Sequence, residues 1–168
     1  MKKNIIKQYI QYRKEEPIKV LFMFQSATVW PSMENVYKVC LMDKRFHVTL
    51  ALCEDIVVEK GHLTNARNYL EENNMEYMEF KDLDFETYIP HIVFIQLPYD
   101  TACHTPQTLS LQFVKRGSRV IYLPYGNEIS NSEVARRDQC ESFVVENCWR
   151  MYVGNEVILE EYRKYCRN

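Results

Sequence analysis

The chain has 168 residues, 46% of them hydrophobic and 13% aromatic, which is enough for one domain with a substantial core. Its 21 basic and 23 acidic residues leave a net charge of −2 with neither sign gathered into a block, so the charge gives no reason to expect nucleic acid as a partner. The six cysteines (Cys40, Cys53, Cys103, Cys140, Cys148 and Cys166) include no Cys-x-x-Cys pair, and several fall within apolar patterns, as buried thiols in a reducing cytoplasm would.

In residues 1–16, Ile5, Ile6, Tyr9 and Ile10 recur at helical spacing among Lys2, Lys3, Lys7, Arg13 and Lys14. The pattern is that of a short basic amphipathic helix, either docked on the domain or lying through residues 1–14 on an anionic membrane surface. This segment has no apolar stretch of the length a secretory leader requires, and nothing later approaches a membrane span.

From residue 17 onward the pattern alternates. Ile18–Gln25 is a continuous apolar run of strand length, suited to a parallel strand covered on both faces. A turn-rich loop, Ser26–Ser32, leads to a helix over Met33–Met42 with Met33, Val36, Tyr37, Cys40 and Leu41 on one face. A strand over Phe46–Cys53, a helix over Leu63–Asn73 ended by Asn73-Asn74, and a short strand over Met75–Phe80 follow. After the acidic stretch 81–86 and Pro90, two apolar runs, HIVFIQLPYD from His91 and RVIYLPYGN from Arg119, each stop at Leu-Pro-Tyr, because proline cannot donate to a ladder. Between them Thr105–Arg116 reads as a helix with Thr105 as its cap and Gly117 as its stop. Further helices are expected over Ser132–Gln139 and Glu156–Cys166, and a sixth strand over Ser142–Val145. The fold class this implies is α/β: a Rossmann-like (flavodoxin-like), doubly wound parallel sheet of five or six strands over residues 17–168.

In such a sheet ligands bind beyond the carboxyl ends of the strands. The residues expected there are Gln25, Ser26, Thr28 and Trp30 after the first strand, and Glu54 and Asp55 after the second. Tyr99, Asp100, Thr101 and His104 follow the fourth, and Tyr125, Gly126, Asn127 and Glu128 the fifth. Asp100 with His104 is the one histidine–carboxylate pair on this rim suited to acid–base work. Trp30 reads as an exposed aromatic that either stacks on a ligand or covers the sheet edge. Gly126 allows a positive φ or a close ligand approach, or simply makes a tight turn. No cofactor is expected: the glycines (Gly61, Gly117, Gly126 and Gly154) form no dinucleotide fingerprint, and no phosphate-cradling lysine loop is present. No metal is expected either, since His47, His62, His91 and His104 do not pair at ligand spacing.

Four segments together, VLFMFQSATVWPSMENVYKVC, DKRFHVTLALC, YIPHIVFIQLPYD and RVIYLPYGNEIS, resemble the amino-terminal half of CDP-glycerol glycerophosphotransferase-like proteins over roughly residues 17–165. The resemblance implies a GT-B glycosyltransferase architecture serving teichoic acid or related cell-envelope polymers, with this half on the acceptor side. It also implies as partners a carboxyl-terminal donor-binding domain, a nucleotide-activated donor and a polymer or lipid-linked acceptor, in the cytoplasm or peripherally at the inner face of the membrane. The family's His-Gly turn, associated with the catalytic base, matches Tyr125-Gly126 here. With an ordinary pKa near ~10, Tyr125 is expected to donate a hydrogen bond or stack rather than act as a base. The catalytic candidates are therefore Tyr125, which the resemblance puts forward, with His104 and Asp100 from the rim itself, and the cleft residues are Trp30, Tyr99, Gly126, Asn127 and Glu128. The chain holds one of the two GT-B domains, so it is expected to be inactive alone. The competing reading is a stand-alone, non-enzymatic flavodoxin-like module that binds a ligand or a protein. A third, a small flavin or nucleotide enzyme, requires an anion near Ser26–Thr28.

Overall fold

The computed structural model describes residues 16–53, 61–100, 105–126, 132–133 and 139–166. They form strands β1 (Ile18–Phe24), β2 (Phe46–Leu52), β3 (Met78–Glu79), β4 (Ile92–Ile95), β5 (Arg119–Tyr122) and β6 (Arg150–Met151). The helices are α1 (Pro31–Met42), α2 (Gly61–Glu72), α3 (Ser110–Lys115), α4 (Phe143–Asn147) and α5 (Glu156–Tyr165). The strands make one sheet in the order β3-β2-β1-β4-β5-β6, with every neighbouring pair parallel. This is the α/β, Rossmann-like, doubly wound architecture expected from the alternation of strand and helix.

The unbroken apolar run of β1 follows from its position. Val20, Phe22 and Phe24 face a core closed by α1 and α2 through Met33, Tyr37, Cys40, Ala66 and Leu70. Leu21 and Met23 face the opposite core, closed by Phe113 of α3, Val144 and Val145 of α4, and Tyr162 of α5. A strand buried on both faces has no polar side to alternate with. Aromatic packing stiffens the first core: Phe22 stacks on Phe94 at 4.4 Å between centroids and meets Tyr37 edge-on at 5.3 Å.

Helix ends follow local chemistry. Gly117 takes φ 85°, and the amides of Gly117 and Ser118 reach the carbonyls of Val114 and Phe113 at 2.9 and 3.0 Å. Asn74, at φ 51°, closes α2 the same way, the amides of Asn74 and Met75 reaching Glu71 and Leu70 at 3.1 and 2.9 Å. Each left-handed residue satisfies two carbonyls that a helix end would otherwise leave open.

Three expectations are corrected. Ser142–Val145 is not a strand: Ser142 Oγ accepts from the Val145 amide at 3.3 Å and starts α4, and the sixth strand is Arg150–Met151. Thr105 does not cap a helix; it sits in a turn whose carbonyl accepts from the Thr108 amide at 3.0 Å, and α3 starts at Ser110. The strand expected over Met75–Phe80 shortens to Met78–Glu79, because Phe80–Asp82 turns into a 3-10 helix. Cys40, Cys53 and Cys140 are buried, whereas Cys148 and Cys166 are half-buried. Burial pushes the Cys53 thiol well up. All but the last residue of the helix over residues 1–16, most of that over Ser132–Gln139, and Cys103 lie outside the described residues. Among the described residues no helix is long and apolar enough to cross a membrane.

Candidate functional site

Strand order reverses between β1, which continues to β2 on one side, and β4 on its other side. Ligands of open α/β sheets sit at such a crevice, beyond the carboxyl ends. Here the crevice is closed from within by Gln96, which directly follows β4 and is fully buried. Its Oε1 accepts from the amides of Gln25 at 2.7 Å and Ser26 at 3.3 Å, and its Nε2 donates to the Ser26 carbonyl at 3.4 Å. One side chain thus ties the end of β1 to the end of β4.

The turn after β1 is likewise folded on itself. The Thr28 amide donates to Ser26 Oγ at 3.2 Å, and the amides of Trp30, Ser32 and Met33 donate to the carbonyls of Ala27, Val29 and Trp30. Amides that would meet an anion at a dinucleotide site are already engaged. Trp30 is not the exposed aromatic expected. It is 0% exposed, packed against Phe24 at 4.9 Å and Tyr37 at 5.3 Å, and plugs the core below the turn. Trp30 stands at the capping position of α1, directly before Pro31, and supplies no side-chain cap.

Asp100, a catalytic candidate from its place on the rim, has a structural duty. At 4% exposure, its carboxylate accepts from the Ser110 amide at 3.0 and 3.1 Å and from Ser110 Oγ at a shorter distance. It caps α3 from ten positions upstream and supplies what Leu109, at the capping position, cannot. His104, Thr101, Asn127, Glu128, Glu54 and Asp55 lie outside the described residues.

The two Leu-Pro-Tyr turns do converge. β4 and β5 are parallel neighbours paired from Ile92–Arg119 to Ile95–Tyr122. Tyr99, four residues past Ile95, and Tyr125, three past its register partner Tyr122, meet on the same rim, where their hydroxyls stand 3.3 Å apart. Tyr125 is 40% exposed and Tyr99 half-buried. Gly126 does not take a positive φ, and a side-chain carbon built there would meet nothing within 4 Å among the described residues. In a phenol pair one hydroxyl donates to the other.

Sequence reasoning missed two features of the rim. Gln96 was legible as a polar residue interrupting an apolar strand, since a buried amide must find partners. The other is a cavity of about 200 Å³ at the ends of β2 and β3, made by residues distant in sequence. Beside it Arg67 of α2 pairs with Glu79 and donates to Tyr77 Oη at 3.1 Å. The Arg67 guanidinium holds the Glu79 carboxyl below the usual carboxylate range. Among the described residues no cluster of three His, Cys, Asp or Glu side chains could hold a metal ion.

Comparison with protein families, with curated proteins and with solved structures finds no match to this chain.

Proposed function

We propose that the chain is the acceptor-side, Rossmann-like domain of a GT-B glycosyl- or glycerophosphotransferase of the CDP-glycerol glycerophosphotransferase-like type, with the β4–β5 rim as its acceptor site. The observation that carries this reading is the Tyr99–Tyr125 hydroxyl pair at 3.3 Å, beyond the carboxyl ends of adjacent strands and with Tyr125 exposed. Paired phenols suit a polyol or phosphodiester acceptor, whose hydroxyls both give and take hydrogen bonds. The self-bonded turn after β1 supports assigning the nucleotide-activated donor to a second domain. Tyr125 then orients the acceptor hydroxyl, and the transfer itself needs the donor domain. Cell-envelope polymer synthesis, with the domain at the inner face of the membrane, is the setting this reading implies.

The test is an NMR titration of the chain with poly(glycerol phosphate) oligomers and, separately, with CDP-glycerol. The oligomers are expected to shift the ring resonances of Tyr99 and Tyr125, and Tyr125→Phe to weaken that binding about fivefold, the loss of one hydrogen bond. Shifts from CDP-glycerol at this rim, with none from the oligomers, would overturn the reading. A second reading, a non-enzymatic binding module, is favoured by the engagement of Asp100 as a helix cap and by tyrosine in place of histidine at position 125. It predicts no response to either titrant.

A further inference from the structure

The cavity of about 200 Å³ lies between the carboxyl ends of β2 and β3 and the turn leading into α3. Apolar cavities of ~150 Å³ accept benzene, so this one has room for a single ring with a substituent. Its apolar lining comes from Leu52, Phe80, Leu83 and Phe85. The Phe80 and Phe85 rings stand 5.4 Å apart, inclined at 44°. Phe85 is held in turn by Phe113 at 5.8 Å and by the Arg116 guanidinium at 5.3 Å, so the aromatic wall is braced.

The polar lining includes Glu79, Lys81 and Gln107. Glu79 is already matched by Arg67, which leaves that pair neutral. Lys81 is exposed at the cavity, makes no hydrogen bond or ion pair within 4 Å among the described residues, and acts on Glu79 only through its charge at longer range. One positive charge therefore stands over an aromatic-walled space.

We propose that this cavity binds a small planar anion, an aromatic ring carrying a phosphate or carboxylate, with the ring against Phe80 and Phe85 and the anionic group at the Lys81 ammonium. The site is separate from the tyrosine pair: three strand spacings along the rim, about 14 Å, divide them. It does not depend on the acceptor reading.

The test is a ¹H–¹⁵N NMR titration of the full chain with phenyl phosphate, benzoate, benzyl alcohol and inorganic phosphate. Phenyl phosphate or benzoate is expected to shift the amides of Phe80, Lys81 and Leu83, and the stronger of the two identifies the anionic group. Lys81→Met is expected to weaken that binding about tenfold and Lys81→Arg to retain it, because a charge-assisted contact is lost in one and kept in the other. The exposed position of Lys81 lets both variants fold. The proposal fails if inorganic phosphate matches the ring-bearing anions, if benzyl alcohol binds as tightly and Lys81→Met changes nothing, or if those amides do not move.

Discussion

At the scale of single residues, the fold rests on polar side chains placed where apolar ones would leave backbone groups unpaired. Gln96 is the clearest case, since its amide serves Gln25 and Ser26 at once while fully buried. Replacing Gln96 with Leu keeps the volume close but strands two buried amides. The expected loss is about 2–4 kcal/mol in urea denaturation, with little change in the slope of the transition. Trp30 shows why the site was harder to read than the fold. A tryptophan in a turn-rich loop has the same sequence signature whether it caps a core or awaits a ligand, and only its contacts with Phe22, Phe24 and Tyr37 separate the two. Asp100 is similar, because a carboxylate on a ligand-facing rim looks available until its hydrogen bonds to Ser110 are seen.

At the scale of elements, the helix ends made by left-handed residues were legible, and the start of α3 was not. Asn74 and Gly117 adopt the left-handed backbone that their residue types favour, so the ends of α2 and α3 follow from local chemistry. The start of α3 depends on Asp100, a long-range partner that no local pattern displays. In Ser142–Val145 a β-branched pair competes with a serine cap; the cap wins because Val144 and Val145 then face Phe113 and Tyr162 in the same core. The Arg67–Glu79 pair joins α2 to β3 and carries a pH dependence. Because Arg67 lowers the Glu79 pKa on folding, the pair's contribution is present at neutral pH. It is lost as pH falls below the ordinary carboxylate value of ~4.3 and through the folded one. Both side chains are partly exposed, so it is worth under about 1 kcal/mol. Glu79→Gln is therefore expected to melt slightly below the native chain at about pH 7, and the two melting curves are expected to draw together as pH falls below the ordinary carboxylate value of ~4.3.

At the scale of the whole molecule, stability is expected to decline outward from β1, the strand bonded along its full length to β2 and also to β4. Native-state hydrogen exchange should find the slowest amides in Val20–Phe24 and Val93–Ile95, and markedly faster exchange in β3 and β6. Equal rates across the sheet would contradict this gradient. The overall architecture was legible because strand and helix alternate with clear punctuation, and parallel order follows from that alternation. The same gradient has a consequence for how the molecule meets its own kind. The sheet ends in β3 and β6, each only two residues long. A passing strand finds at most one or two ladder hydrogen bonds at either margin, too few to hold an extended segment. The chain is thus able to keep its long, fully apolar β1 in the middle of the sheet without offering a growing edge to a neighbour in a crowded solution.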